Sequence, residues 1–223
     1  MAAGRDEMRA LADASLARGD ALGWFEELYR RAGPDHARVP WADGVPNPLL
    51  VEWLAGPDAA GLRGRALVVG CGYGDDAERL AEAGFAVTAF DVAPTAIEAC
   101  RARWSGSRVD YVVADALAPP PAWRGAFHFV LESNTLQVLP PGVRAPLLGQ
   151  LAATLAPGGR LLVLCRGRDP GEPEGQLPWP LTRDELDAVR AHGLEPVRFE
   201  DLLDGEAPPV RRFRALYQRP PVG

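Results

Sequence analysis

The stretch from residue 66 to residue 76 restricts the fold of this chain more than any other part of the sequence. An apolar run, Ala66–Val69, ends in three glycines at alternate positions, Gly70, Gly72 and Gly74, and a helical pattern of apolar residues follows. This order predicts a buried parallel strand, a tight turn and a helix. Glycine suits the turn because it adopts backbone conformations that other residues avoid and lets a ligand approach bare backbone. We expect an open α/β sheet with this loop at the carboxyl end of its first strand, where such sheets bind ligands. The alternative is an ordinary strand-to-helix turn without a ligand.

The residues after the loop argue against a phosphate-containing ligand. A dinucleotide site requires G-x-G-x-x-G, but here the third glycine comes one residue early and Asp75 takes the last position. Asp75 and Asp76 would place two carboxylates at the helix N-terminus, where a pyrophosphate normally binds. We expect Asp75 to cap the helix, with Glu78 completing a capping box. The loop therefore favours a nucleoside without phosphates and disfavours an NAD-dependent oxidoreductase.

A second apolar run, Phe85–Phe90, ends at Asp91, which lies 21 residues after Gly70. A carboxylate at the end of the second strand can accept hydrogen bonds from both hydroxyls of a ribose. The alternative role for Asp91 is to cap the helix that follows it.

The glycine loop and Asp91 together resemble the class I S-adenosylmethionine-dependent methyltransferases, whose pattern is G-x-G-x-G after strand one and an acidic residue at the end of strand two. The Pro-Gly-Gly turn at 157–159, before an apolar strand, is a further landmark of that family. The resemblance implies S-adenosyl-L-methionine as cofactor. It also implies a Rossmann-like, seven-stranded, mostly parallel sheet with helices on both faces and a C-terminal antiparallel hairpin. The alternating segments 194–201 and 209–217 are predicted to form that hairpin.

The N-terminal part narrows the resemblance to one branch. The segment 40–50 reads Pro-Trp-x-Asp-Gly-x-Pro-x-Pro-Leu-Leu, which is similar to the thiopurine, thiol/halide and tellurite methyltransferases. Asn47 and Pro48 are a good N-cap and first helical residue. We expect residues 1–55 to form a helical leader and lid, and residues 56–223 to form the S-adenosylmethionine-binding domain.

The resemblance also implies roles for individual residues. Trp41 would line the methionyl end of the cofactor or the acceptor pocket, or else act as an aromatic plug. Asp115 and the backbone of Ala116 would meet the adenine, although Asp115 also suits a turn cap. Glu132 lies at a strand's carboxyl end and thus faces the site. The complete predicted cofactor set is Trp41, Gly70, Cys71, Gly72, Asp91, Val92, Asp115, Ala116, Glu132 and Ser133.

On the acceptor side, the candidates are Trp24, Tyr73, Asn134 and Arg166. Trp24 either forms a lid wall or simply packs the leader against the domain. The segment 166–178 follows a strand's carboxyl end and is either an acceptor loop or a plain flexible connection. Ser133 stands where thiopurine methyltransferases have an arginine, which weakens an anionic-acceptor assignment.

Composition excludes several other classes of function. The net charge of −6 argues against a nucleic-acid partner. All 24 basic residues are arginine, so a P-loop and a Schiff-base lysine are excluded. Three scattered cysteines are too few for a disulfide framework or a zinc site, so we predict no metal and a reducing, cytoplasmic compartment. No apolar run approaches the length of a membrane span, and no secretory signal is recognisable.

We therefore expect an enzyme that transfers a methyl group from S-adenosyl-L-methionine to a small-molecule acceptor, such as a thiol, a halide or a chalcogen. Such acceptors need little or no general base, which fits the lack of a histidine or lysine near the motifs. Val68, His128 and Ser133 depart from the wider family pattern. These departures leave open a non-catalytic domain that binds the cofactor as a sensor, and an NAD-dependent oxidoreductase is the remaining alternative.

Overall fold

The structure is a computed structural model that describes residues 2–222. It contains a sheet of seven strands in the order β3-β2-β1-β4-β5-β7-β6, in which β7 is antiparallel to β5 and β6 and the other pairs are parallel. This confirms the predicted fold, including the C-terminal hairpin. The strands are β1 Arg65–Val69, β2 Ala86–Asp91, β3 Asp110–Val113, β4 Phe127–Ser133, β5 Leu155–Arg166, β6 Glu195–Leu203 and β7 Arg211–Gln218.

Helices cover both faces of the sheet, because each buried strand presents apolar side chains alternately to the two sides. In β1, Leu67 and Val69 join one buried cluster, whereas Ala66 and Val68 join the other. The helices are α1 Ala2–Leu16, α2 Gly23–Ala32, α3 Pro48–Ala55, α4 Asp75–Glu82, α5 Pro94–Arg103, α6 Pro141–Thr154 and α7 Arg183–Asp187. The first cluster includes α1, α2 and α6, and the second includes α3 and α4.

The leader breaks between α1 and α2, near Gly19 and Asp20. The Asp20 carboxylate accepts hydrogen bonds from the N–H groups of Leu22 and Gly23, at 3.0 and 2.8 Å, and so satisfies the start of α2. Asn47 caps α3 by accepting from the Leu49 N–H at 3.0 Å, as predicted. The division of the chain at residue 55 stays a prediction.

The predicted capping box at Asp75 is wrong. The N-cap of α4 is Gly74, with φ 88°, and Asp75 is the first helical residue. The reason is competition from tertiary partners. Arg103 binds both oxygens of Asp75, at 2.6 and 2.8 Å, and Glu78 accepts from the hydroxyl of Tyr111 at 2.7 Å. A capping box does form at Thr182 and Glu185, where it begins α7.

One strand boundary differs from the prediction. β5 begins at Leu155 rather than after the Pro-Gly-Gly turn, since Leu155 pairs with Phe127 across a register shift. β4 continues to Ser133, because Ser133 still pairs with Leu164 of β5. Glu132 and Ser133 therefore belong to the edge of the sheet.

Candidate functional site

All three glycines of the loop after β1 have positive φ, which explains why glycine is required there. A Cβ atom at Gly70 would lie 2.5 Å from the Thr135 hydroxyl oxygen, and one at Gly74 would lie 2.5 Å from the Tyr111 hydroxyl oxygen. These two glycines are therefore needed for close packing of the protein's own side chains. Gly72 alone of the three meets the aromatic leader.

Asp91 is buried beneath this loop and orders it. Its two carboxylate oxygens accept hydrogen bonds from the N–H groups of Gly72 and Ala93, each at 3.0 Å. Burial raises the pKa of Asp91 to about 6, and these N–H donors act in the opposite direction. Because an ionised carboxylate has about four acceptor positions, it retains capacity for a ribose. The N-cap of α5 is Ala93, without a side-chain capping bond, so the alternative that Asp91 caps this helix is wrong.

Aromatic side chains of the leader cover the loop. We call Trp24, Phe25, Tyr29 and Trp41 the aromatic roof. Trp41 donates through its indole N–H to the Tyr29 hydroxyl at 2.9 Å, and a Cβ at Gly72 would lie 3.3 Å from that hydroxyl. The rings of Trp24 and Phe25 stack with centroids 3.9 Å apart. Trp24 and Trp41 were predicted site residues, and the structure brings them together at edge-to-face contact, 6.1 Å between centroids.

Two members of this region were missed from the sequence. Tyr29 is 1% exposed and meets Tyr73 of the glycine loop edge-on, with centroids 5.3 Å apart. His36 stacks on Tyr73 at 3.9 Å with the rings 14° from parallel. The only signal for Tyr29 was its place in the helical apolar stripe, four residues after Phe25, and nothing local pointed to His36.

A polar cluster ties the leader to the sheet beside the loop. Asp76 accepts from the Asn47 N–H at 2.7 Å, and the Asn47 side-chain amide donates to the Ser133 hydroxyl at 3.1 Å. Burial raises the pKa of Asp76, while hydrogen bonds from Asn47 and Ser133 lower it. With Asp75 bound to Arg103, the α4 N-terminus already carries two carboxylates, which disfavours a pyrophosphate there.

Glu132 lies at the carboxyl end of β4 and is fully buried. Its Oε1 accepts from the N–H groups of Thr135 and Leu136, at 2.6 and 2.9 Å. Its Oε2 is buried and has no hydrogen-bond partner among the described residues. Burial raises the pKa of Glu132 to about 7. A buried acceptor without a partner is rare in proteins and fits a cationic or hydrogen-bond-donating ligand.

The residues after Glu132, which we call the 133–137 turn, lie across the neighbouring strand. Asn134 has φ 63°, which is uncommon for a residue other than glycine, and its N–H donates to the Leu164 carbonyl of β5 at 2.8 Å. The Gln137 side chain accepts from the backbone N–H of Arg166 at 2.6 Å. The turn thus connects two predicted acceptor-side residues, Asn134 and Arg166.

The other predicted residues lie at the same edge of the sheet with smaller roles. Asp115 accepts from the Leu117 N–H at 2.8 Å, so one of its oxygens serves as the turn cap that was the alternative expectation. Val92 and Ala116 are partly buried and pack against the apolar cluster. The hydrogen bond with Cys100, followed by burial, raises the pKa of Cys71 well above its usual value, so this thiol stays protonated.

Two cavities of about 410 and 370 Å³ lie away from the glycine loop. The larger is between α1 and α2 and is lined by Trp24 together with Arg18, Asp20 and Glu27. Asp91 lines neither cavity. No helix in residues 2–222 has the length and apolar character needed to cross a membrane.

Comparison with known proteins places this architecture in a family. The family profile described as "Methyltransferase domain" matches residues 66–159. The chain is 29% identical to the 2-heptyl-1-hydroxyquinolin-4(1H)-one methyltransferase of Mycobacteroides abscessus, over 73% of this chain and 72% of that protein. It is 30% identical to the probable thiol methyltransferase 2 of Arabidopsis thaliana, over 75% of this chain and 73% of that protein.

Solved structures agree with the fold. The 1,6-didemethyltoxoflavin-N1-methyltransferase of Burkholderia thailandensis, with S-adenosylhomocysteine bound, aligns with a TM-score of 0.70 at 22% identity, over 88% of this chain and 87% of that one. The N-methyltransferase NodS of Bradyrhizobium japonicum, also with S-adenosylhomocysteine, aligns with a TM-score of 0.66 at 21% identity, over 87% of this chain and 98% of that one. The glycine loop, the acidic end of β2 and these similarities lead to one conclusion: the chain belongs to the class I S-adenosylmethionine-dependent methyltransferases and uses S-adenosyl-L-methionine as its cofactor.

Proposed function

We propose that this methyltransferase acts on a small acceptor whose nucleophile is soft: a thiol, a halide or a chalcogen. The observation that carries the proposal is the aromatic roof over Gly72, which suits a reaction that needs alignment and exclusion of water more than it needs a base. Holding two reactants in line can contribute an effective molarity of roughly 10⁵ M or more. The similarity to a protein named as a thiol methyltransferase supports the same acceptor class.

The cofactor supplies an electrophilic methyl group on a sulfonium. In this proposal Asp91 accepts hydrogen bonds from the ribose hydroxyls while it continues to hold Gly72. Val92, Asp115 and Ala116 border the adenine, with the second oxygen of Asp115 available as an acceptor. Gly70, Cys71 and Gly72 present backbone along the cofactor. This assignment agrees with the position of all these residues after the carboxyl ends of β1, β2 and β3.

Glu132 and Ser133 serve the methionyl end in the same proposal. The unpartnered Oε2 of Glu132 is suited to a positively charged amine, because a buried carboxylate oxygen gains most from a charged donor. Ser133 orients Asn47 and Asp76 beside it. No proton needs to leave a halide or a thiolate, so Glu132 binds and is not required as a base.

The leader acts as a lid over this site. Tyr29 and Trp41 close the space above Gly72, and Glu26 fastens α2 to α5 by accepting from both the N–H and the hydroxyl of Thr95, at 3.1 and 2.7 Å. Aromatic faces next to a sulfonium contribute about 0.5–2 kcal/mol by cation–π attraction.

The test is a titration of the protein with S-adenosylhomocysteine, with NADH as the control, followed by turnover assays with S-adenosyl-L-methionine. Thiophenol, iodide and selenide are compared with phenol and aniline as acceptors. We expect S-adenosylhomocysteine to bind, NADH not to bind, and methylated sulfur, iodine or selenium products to form. Products only from phenol or aniline would contradict the acceptor class. Binding without any product would favour the non-catalytic sensor.

A further inference from the structure

Arg166 is the last residue of β5, and its backbone is held from two sides. Its N–H donates to the side-chain oxygen of Gln137 at 2.6 Å, and its carbonyl oxygen accepts from the Leu181 N–H at 2.9 Å. Gln137 is only 4% exposed and belongs to the 133–137 turn. The guanidinium of Arg166 therefore projects from a fixed point at the carboxyl edge of the sheet, where ligands of such folds bind.

The guanidinium has no protein partner in the part of the chain that the structure describes. It forms no ion pair, and its Nε is buried without a hydrogen-bond acceptor. Neighbouring arginines differ: Arg168 pairs with Glu185 at 3.1 Å, and Arg212 pairs with Asp204 at 2.7 Å. A buried Nε–H without an acceptor is unfavourable, so this donor of the half-buried Arg166 is available to a ligand.

The charges around Arg166 are of both signs. Burial lowers the pKa of its guanidinium most, Arg212 and Arg5 lower it further, and Glu206 and Asp204 raise it. The two acids in the same region, Asp204 and Glu206, are both bound to Arg212, each at 2.7 Å. Arg166 and Arg5 therefore leave local positive charge in a chain whose net charge is −6.

The same corner borders the proposed acceptor site. Thr135 of the 133–137 turn packs against Gly70, and the turn is anchored on β5 through Asn134 and Leu164, two residues before Arg166. Asn134 holds an uncommon φ of 63° to make this crossing. The 133–137 turn therefore contacts both the glycine loop, through Thr135, and the backbone of Arg166, through Gln137.

We propose that Arg166 is a specificity-determining residue that binds an anionic group, such as a carboxylate, on the methyl acceptor. The inference rests on the proposed function, because it takes the corner between β4 and β5 as the acceptor site. An arginine binds a planar carboxylate through two parallel hydrogen bonds, which gives both affinity and orientation. The acceptor is then an amphipathic molecule: the nucleophile lies under the aromatic roof and the anion lies at Arg166.

Calorimetric binding of 4-mercaptobenzoate and of its neutral amide to the protein–S-adenosylhomocysteine complex tests this inference. The two probes have the same thiol and nearly the same shape, so their difference reports the carboxylate. We expect the carboxylate to bind roughly 10–100-fold more tightly, the range for hydrogen bonds to charged groups. We expect that preference to disappear in Arg166→Gln and to persist in part in Arg166→Lys. Arg198→Gln, an equal charge change on the exposed β6, should leave the preference intact.

Equal binding of the two probes to the wild-type protein, or a preference that survives in Arg166→Gln, would overturn the proposal. If Arg166→Gln does not fold, the wild-type preference and its weakening by salt still decide the outcome. Turnover separates this inference from the proposed function. Tight, Arg166-dependent binding of 4-mercaptobenzoate without S-methylation would reject the thiol acceptor but keep the anion site. Equal methylation of both probes would keep the thiol acceptor but reject the anion site.

Discussion

The buried carboxyl group of Glu132 should make the free protein less stable at neutral pH, and the substitution Glu132→Gln should reveal how much. Its pKa is about 7 in the folded protein, against a usual value of 4.5. This difference of about 2.5 pH units corresponds to about 3 kcal/mol of folding free energy. The cause is burial of a carboxylate whose Oε2 has no partner among the described residues.

The sign of this pH effect follows from the pH at which Glu132 loses its proton in the folded and in the unfolded protein. Below pH 4.5 the group is neutral in both states. Between pH 4.5 and 7 the unfolded chain ionises first, so stability falls as pH rises, and above pH 7 the loss is complete. Glutamine keeps the oxygen that accepts from Thr135 and Leu136 but does not titrate. The stability of Glu132→Gln relative to wild type should therefore increase by about 3 kcal/mol between about pH 4 and about pH 8.

Urea unfolding of both proteins across this pH range measures the difference directly, and any constant offset from the new buried amide cancels. Glu200→Gln is the matched control, because its hydrogen bond to Arg214 holds the pKa of Glu200 below its usual value. That variant should lose stability relative to wild type as pH rises. If the difference in stability between Glu132→Gln and wild type is the same at both ends of the pH range, Glu132 is not a buried, partly unpaired carboxyl group. Its proposed role in binding the cofactor's amine would then be rejected as well.

Three further predictions concern the cofactor and its lid. Asp91→Asn should weaken S-adenosylhomocysteine binding roughly 10–150-fold, because a charge-assisted hydrogen bond is lost; an unchanged calorimetric Kd would reject the ribose assignment. In Glu132→Gln, which removes the other carboxyl group of the site that titrates in this range, protonation of Asp91, with its pKa of about 6, should weaken the same binding about tenfold at pH 5 relative to pH 7.5, and a flat profile would contradict this. Asn47→Ala removes the α3 cap and the hydrogen bond to Ser133, so the free energy of unfolding measured in urea should fall by about 1–2 kcal/mol. Asn47→Asp keeps the cap and should lose less stability.

Much of the fold followed from rules that act over a few residues. The apolar run into the glycine loop and the Asn47-Pro48 start of α3 are local patterns, and each appears where the sequence predicted it. Asp91 also lies at the predicted end of β2, because the strand length and the position of the acid are set within one element. The capping box at Asp75 failed because Arg103, 28 residues away in sequence, binds that carboxylate instead.

The sheet class, the glycine loop and the acidic residue that mark the family could be predicted from the sequence, since strand periodicity and glycine conformation are properties of short segments. Their surroundings could not be predicted: Tyr29 over Gly72, Thr135 against Gly70, and the Oε2 of Glu132 and Nε of Arg166, which have no partner among the described residues. These features depend on which side chains the strand order brings to one edge of the sheet. Burial then decides whether a polar group finds a partner in the protein or remains available for a ligand.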